Sequence, residues 1–552
     1  MTAINSLKSA IASHELLVLR HLGQIIQGVA AMCLDIESNL RRESFKIMSL
    51  LLSFTSAKIV GPFFEMISSY LRCAMTHIQP NIQEDSLLFL DVLINYVPGL
   101  IAENGDAIFT NFLDMISKQK QDSRQGRALN ANISKTNTTK WRNKVLQCLN
   151  RMFFTVLEHK KSTLFTTSEG SSSDIFCYST TKEEYFPLIR RYQDSDSIDV
   201  FKSTISNNAS ESKDEGDQLK YYITVLIPLL FESWIEVKPS SSSCFSHDQK
   251  LTLNEDSAYT LKTILDLLVC IWELVEIWEM KVKHNDISTF FKQEYSKNFA
   301  IHFCTGFPYE QLNITETKKK SKNSYRMENS DKYCLHQNLL ICHLFCKFCS
   351  TEIKSYPSLA NKIQDYLTTS LQGKANSKNI IIAPNLEKIL RSILFTHARD
   401  FLSYDKEKQR ALLKEVLKLH IMQHRGDLLD LLCCIILDDF LYMSYGQLVF
   451  NEWLSTLPRL LCQPVIKKRT IITLCNLGKR KSQIFLKSLA ENALDVLDNL
   501  TSAKFNGFND FEDSKRSVID LFYWVDDWST MDFQKLEEYL RKHSELAQYF
   551  SQ

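Results

Sequence analysis

Residues 17–54 and 59–96 carry one helical hairpin twice, at an offset of 42 residues, and this repetition limits the folds open to the chain. The paired positions are Asn39/Asn81, Leu40/Ile82, Glu43/Asp85, Ser44/Ser86, Ile47/Phe89, Met48/Leu90, Leu51/Leu93, Leu52/Ile94 and Phe54/Tyr96. In the helix before them, Val18, Leu22, Ile25, Val29 and Met32 recur as Val60, Phe64, Ile67, Leu71 and Ala74. Steps of three and four place apolar side chains on one helix face. Each hairpin therefore presents a face that it cannot bury alone and that a stacked neighbour covers.

Local chemistry fits this register. A short side-chain oxygen ahead of a helix satisfies an orphan amide of the first turn, so Asn39 and Asn81 are predicted as N-caps, with Pro80 closing the preceding helix. Glu43 and the pair Glu84–Asp85 fall near the positive ends of the helix dipoles. Ser44 and Ser86 are small residues in bulky helices and are expected to let the paired helix approach closely. With 14 glycines and 11 prolines in 552 residues, turn residues are too few for a strand-rich fold. The predicted class is all-α, a HEAT/armadillo-like α-solenoid with long disordered insertions.

A third repeat starts at Ile108, Phe112 and Met115 and resumes at Trp141, Val145, Leu146 and Leu149, around a polar insertion, Ser117–Lys140. Residues 160–218 are rich in Ser, Thr and Asp and read as a disordered linker. The expected domains are 1–159, an N-terminal repeat domain; 160–218, the linker; and 219–552, a C-terminal helical region of degenerate solenoid character without a clear 42-residue period. In that region helices are predicted over Leu219–Lys238, Ser257–Lys283, Leu335–Glu352, Leu386–Leu402, Lys406–Met422, Leu428–Leu441, Thr470–Leu474 and Ser514–Gln548. A basic polar loop, Thr315–Asp331, lies between two of these blocks.

The net charge of +1 supports no global argument for nucleic acid or membrane, so any such case is local. Fifteen scattered cysteines, many in apolar helical stripes, suit a reducing compartment better than a disulfide framework. The most apolar stretch, Ile223–Ile235, contains Pro228 and Glu232 and is too short for a bilayer. No signal-peptide pattern opens the chain. A soluble intracellular protein without membrane contact is expected.

Two clusters invite a chemical reading. Cys342-x3-Cys346-x2-Cys349 has the spacing of the iron–sulfur motif in radical S-adenosylmethionine enzymes. Here Leu335, Leu339, Cys342, Cys346 and Cys349 continue a four-three-four-three stripe, which points to packing. Cys334, His336, Cys342 and His343 could be read as zinc ligands, but only one end has knuckle-like spacing. No Gly-rich phosphate loop, nucleophile elbow or His-Glu-x-x-His helix is present. The chain is expected to be no enzyme, with no catalytic, cofactor-binding or metal-binding residues and no cofactor.

The stronger signal is electrostatic. From Lys118 to Lys161 there are eleven basic residues against two acids, Asp122 and Glu158. Phosphate backbones attract such clusters through counterion release. Lys118, Lys120, Arg124, Arg127, Lys135, Lys140, Arg142 and Lys144 are the candidate contacts to RNA or a ribonucleoprotein particle. Lys318-Lys319-Lys320-Ser321-Lys322 is a candidate nuclear-import signal.

One string carries a family likeness. Ala74-Met75-Thr76-His77-Ile78, then Ile82-Gln83-Glu84-Asp85-Ser86-Leu87 and Leu90-Asp91, closely resembles the signature of the testis-expressed protein 10 family, whose fungal members are pre-rRNA-processing proteins. Weaker matches follow in the family's order: Trp141-Arg142 with Lys144-Val145-Leu146, Ile227-Pro228-Leu229-Leu230 with Trp234-Ile235-Glu236, Phe307-Pro308-Tyr309, and Trp453-Leu454 with Leu457-Pro458.

The resemblance implies a HEAT-repeat, non-catalytic scaffold subunit of the nuclear complex that matures the large ribosomal subunit and helps process the second internal transcribed spacer, in nucleolus and nucleoplasm. The partners it implies are a proline-, glutamate- and leucine-rich scaffold protein, a WD-repeat propeller, a SUMO protease, the spacer endonuclease, and the large-subunit precursor particle with its midasin ATPase. The Lys-rich extension that usually precedes the family's first repeat is absent here, so the resemblance does not carry autonomous nuclear import or part of the RNA contact over to this chain. A nuclear transport receptor is the alternative HEAT-repeat reading, and an iron–sulfur enzyme using Cys342, Cys346 and Cys349 a remote one. A receptor would show the repeat throughout and an acidic balance, neither of which is seen.

Overall fold

The computed structural model describes residues 2–119, 127–129, 135–166, 206–239, 251–311, 334–349, 355–372, 383, 385–500, 502–507, 511–526, 528 and 530–542. These residues are overwhelmingly helical and of the HEAT-like, all-α class that the stripes predict. They form two compact units, one of the described residues up to Leu344 and the other of those from Phe345 onward.

In the first unit the helices are α1 (Thr2–Ser13), α2 (Glu15–Arg20), α3 (Leu22–Ala31), α4 (Ser38–Phe54), α5 (Ala57–Met75), α6 (Pro80–Tyr96), α7 (Pro98–Glu103), α8 (Gly105–Ile116), α9 (Lys135–Thr166), α10 (Ser206–Val237), α11 (Glu255–Val282), α12 (Asp286–Phe299) and α13 (Leu335–Phe348), which runs past Leu344. The doubled hairpin is α3–α4 followed by α5–α6. Helices α4 and α6 begin and end 42 residues apart. Ser44/Ser86, Ile47/Phe89, Met48/Leu90, Leu51/Leu93 and Leu52/Ile94 are all buried, whereas Phe54 and Tyr96 are not. The Ser44 hydroxyl lies 3.6 Å from the Cys33 thiol, the close approach that a small side chain permits.

The first helices repeat less strictly. Val60, Phe64, Ile67, Leu71 and Ala74 are buried, but in the earlier copy Ile26 and Cys33 occupy the interior while Ile25 and Met32 are half-buried. The helix is interrupted at His21, and one residue of slippage turns the stripe by about 100°.

The caps also differ from expectation. Glu37 and Gln79 are the N-cap residues, and Asn39 and Asn81 lie inside the first turn. Pro80 opens α6 instead of closing α5, because proline has no amide to leave unsatisfied and its fixed φ suits the first helical position. The turns are held by equivalent side chains: Asp35 Oδ1 accepts from the Glu37 amide at 2.8 Å, and His77 Nδ1 accepts from the Gln79 amide at 3.1 Å.

The insertion Ser117–Lys140 holds an antiparallel pair, β1 (Ser117–Gln119) and β2 (Arg127–Leu129), and α9 begins at Lys135. Within 160–218, residues 160–166 belong to α9 and 206–218 to α10; residues 167–205 lie outside the described residues, as does the basic loop 315–331. Helix α11 is capped by Asn254, whose side chain accepts from the Ser257 amide at 2.7 Å, and it ends at Lys283 in the left-handed region.

The second unit breaks several predicted helices. Leu386–Leu402 is interrupted by a π-helical turn, Ser392–Thr396, and Leu428–Leu441 divides at Asp438, whose carboxylate caps a new helix through the Leu441 amide at 2.9 Å. Thr470–Leu474 extends to Lys468–Lys479. Ser514–Gln548 resolves into Phe511–Ile519, a 3-10 turn Asp520–Trp524, and Thr530–Lys542. Strands β3 (Thr252–Leu253) and β4 (Glu310–Gln311) pair in parallel in the first unit, as β5 (Val465–Lys467) and β6 (Lys504–Asn506) do in the second.

A buried polar contact in this unit makes its stability depend on pH. The Trp453 indole donates to His420 Nδ1 at 2.9 Å, which requires a neutral imidazole. Burial, with a smaller contribution from His424, depresses the His420 pKa from 6.5 to about 4, while Asp427 opposes the shift. A base whose folded pKa is lowered contributes stability that is complete above its unfolded pKa and is lost as pH falls from 6.5 toward 4, here of the order of 3 kcal/mol. Urea unfolding at pH 7 and pH 4.5 should show a larger loss for the parent than for His420→Gln; equal losses would remove His420 from the acid response.

Candidate interaction surface

The family signature folds into the C-terminus of α5, the turn after it, and α6. Its side chains divide sharply. Ala74, Met75, Ile82, Asp85, Ser86, Leu87 and Leu90 are buried; Thr76, Ile78, Gln79 and Pro80 are exposed; His77, Gln83 and Glu84 are half-buried.

The acids of this segment join successive second helices. The Arg41 guanidinium on α4 is 1% exposed and binds one carboxylate oxygen of Asp85 through Nε at 2.8 Å and Nη2 at 2.5 Å. Its Nη1 donates to the carbonyls of Asp35 and Ile36 at 2.7 and 2.9 Å. One residue therefore fixes the first turn and ties it to the next repeat. Phe45 stacks on Phe89 at the same 44-residue offset, so α4 and α6 run parallel. Glu84 pairs with Lys144 and Asp91 with Arg151, both 60 residues away, so α6 and α9 are parallel as well.

Three parallel helices thus bring their N-termini to one edge. That edge carries the turns Asp35–Glu37 and His77–Gln79 and the start of α9. Ile36 is 77% exposed and Ile78 is 97% exposed at the two turns. Extending the α6/α9 register by one helical turn brings Lys140 level with Pro80. The positive ends of three helix dipoles add to whatever cations lie there; Asp35 and Glu37 are the acids of the first turn.

The structure sorts the predicted basic contacts. Lys118 on β1 and Lys140 on α9 are exposed and, among the described residues, carry no ion pair. Arg127 is committed inward, its Nε donating to Ser117 Oγ at 2.8 Å and its guanidinium pairing with Asp114. Arg142 is buried against Glu236 at 2.5 Å, and Lys144 is exposed but paired with Glu84. Farther along α9, Lys161 meets Glu273 at 2.9 Å and Lys160 meets Glu215 at 3.4 Å. Lys120 and Arg124 lie outside the described residues, as does the side chain of Lys135. A count along the chain overstated this charge because acids distant in sequence neutralise part of it.

Three of the weaker family motifs, those around Arg142, Trp234 and Tyr309, also meet in space within the first unit. Glu236 holds Arg142; Trp234 packs edge-on against Tyr309 with ring centroids 5.8 Å apart and donates to the His302 carbonyl at 3.0 Å. Asn338 clamps Tyr309, accepting from its amide at 2.9 Å and donating to its carbonyl at 3.0 Å. These motifs specify packing.

Cys342 and Cys346 on α13 and Cys349 just past its end are fully buried, and burial pushes the Cys346 thiol up to about 12, which disfavours the thiolate needed for metal binding. His336 contacts Asp266 at 2.8 Å. Among the described residues, no group of three or more His, Cys, Asp or Glu is placed to hold a metal ion, and no helix is long and apolar enough to cross a membrane.

Residues 58–153, from α5 to the first half of α9, match a family described as a Rix1 complex component involved in 60S ribosome maturation. The testis-expressed protein 10 homolog of Danio rerio is 22% identical over 90% of this chain. The chain resembles the testis-expressed protein 10 family. It spans 57% of the length of that Danio rerio relative. Among solved structures, a Kap121p mutant aligns over 97% of this chain and 47% of its own length, with 10% identity and a TM-score of 0.40. Importin beta aligns over 92% of this chain and 58% of its own, with 10% identity and a TM-score of 0.35. The 58–153 family match takes in the turn His77–Gln79, α6 and the start of α9, and leaves α4 and the turn Asp35–Glu37 outside it. The family string includes Ile78, but its equivalence with Ile36 went unread; an apolar residue recurring at the 42-residue offset inside a predicted turn was the available signal.

Proposed function

We propose that this chain is a non-catalytic scaffold subunit of a nuclear complex that matures the 60S ribosomal subunit, including processing of the second internal transcribed spacer. The observation that supports it is the 58–153 family match, which takes in α6 and the start of α9, two of the three helices whose N-termini form the edge, together with the exposed turn residue Ile78. In this reading the helical faces hold a proline-, glutamate- and leucine-rich scaffold protein, a WD-repeat protein and a SUMO protease. The edge meets the large-subunit precursor particle and its midasin ATPase, with rRNA reached by the basic chain before α9. The chain acts in nucleolus and nucleoplasm.

Lys118, Lys120, Arg124 and Lys140 are the residues proposed to reach RNA; Arg127, Arg142 and Lys144 have structural partners. Changing Lys118, Lys120 and Arg124 to Glu should weaken co-sedimentation with precursor particles. It should also flatten the logarithmic dependence of binding on salt by about 0.7 for each phosphate of single-stranded RNA that is no longer neutralised. Co-purification with the complex subunits should persist. Unchanged sedimentation with unchanged salt dependence would mean that recruitment runs through protein surfaces alone, and failure of the parent chain to co-purify with any 60S maturation factor would overturn the scaffold assignment.

A further inference from the structure

A basic run with no acid inside it lies in the second unit. From Trp453 to Ala490 the chain holds eight Lys and Arg and no Asp or Glu. Three of the eight are neutralised by acids from other segments: Arg469 by Asp430, Arg480 by Asp439, and Lys481 by Asp526 at 3.0 Å. Lys467, Lys479 and Lys487 stay exposed.

Helix Lys468–Lys479 gives part of this charge a shape. Lys468, Ile472, Cys475 and Lys479 follow at steps of four, three and four, so they form one stripe with a lysine at each end and apolar atoms between. Eleven residues of helix separate the lysines by about 16 Å. The stripe faces a groove of about 220 Å³, walled on its far side by Ser517 and Asp520. Ile472 is 38% exposed, and the Cys475 thiol reaches the Ser517 carbonyl at 3.9 Å. Burial pushes that thiol up to about 11, so it is uncharged at neutral pH. Beyond the helix N-terminus, Lys467 on β5 lies opposite Asn506 of β6, and Lys504 is two residues along the same edge.

We propose that this groove docks an acidic peptide segment with a central apolar side chain. The apolar group settles over Ile472 and Cys475, and carboxylates on either side of it reach Lys479 at one end and the Lys467 edge at the other. A span of about 16 Å is five residues of extended peptide. The charge pattern favours this occupant over nucleic acid. A single strand carries a phosphate at every nucleotide and gains affinity by stacking bases on aromatic rings. The groove lining contains no aromatic side chain, its cations stand at the ends, and Asp520 lies near enough to Cys475, in the middle of the stripe, to raise its thiol, so it would repel a continuous line of phosphates. The inference does not rest on the ribosomal reading.

The test uses the full chain and three fluorescein-labelled probes of equal length: a peptide of glutamates around two central leucines, an all-glutamate peptide, and oligouridylate. Anisotropy should rank the mixed peptide tightest. Lys467→Glu with Lys479→Glu should weaken it at least tenfold at low salt, and Ile472→Ala should weaken it severalfold with the salt dependence unchanged. If the double variant unfolds by circular dichroism, Lys479→Gln, which introduces no repulsion, carries the same expectation with a smaller loss. Tighter binding of oligouridylate would make the groove a phosphate site and overturn the proposal. Mixed-peptide binding that is absent, or indifferent to Lys479 and Ile472, would also overturn it.

Discussion

Replacing Asp85 with Ala should destabilise the first unit by about 3–5 kcal/mol, because it leaves the Arg41 guanidinium buried without its counter-charge. The two carbonyl contacts from Nη1 satisfy part of the guanidinium but offset none of its net charge. Changing Arg41 and Asp85 together to leucine should recover much of the stability, since replacing a whole buried pair by apolar side chains is often neutral. Urea unfolding of the two variants and the parent measures both effects. A parent-like midpoint for Asp85→Ala would show that the pair is open to water. The same substitution should free the turn at Ile36, linking repeat stability to the proposed contact edge.

Truncating Leu51 or Leu93 to Ala should cost about 2–5 kcal/mol at each site, through reduced burial and the cavity left behind. Both side chains are fully buried in parallel helices with a common offset of 42 residues. Equivalent surroundings should give losses of similar size. A parent-like melt for either variant would end the two-copy description of α4 and α6.

These effects trace back to residues whose roles were unevenly visible in the sequence. Leu51, Leu93, Ser44 and Ser86 were legible because burial on one helix face imposes a period, and a period survives in a linear string. The helix starts were less so. Asn39 and Asn81 have the chemistry of caps, yet Pro80 is better suited to the first helical position and the turn is closed three residues before it by His77. In the second unit, the π turn at Ser392–Thr396 and the break at Asp438 interrupt runs whose apolar pattern continues across them.

Sequence by itself determined the all-α class, the doubled hairpin and the likeness to the testis-expressed protein 10 family, since each depends on residue type and spacing along the chain. Only the tertiary structure decided which charges are available. Arg142, Lys144 and Arg151 find acids 60 to 94 residues away, so a stretch that counts as strongly basic is partly neutral in place. The stretch from Trp453 to Ala490 keeps exposed cations on either side of an apolar strip. The physical reason is that charges interact through space and are screened beyond about 10 Å, while the order of residues says nothing of which ones come within that distance.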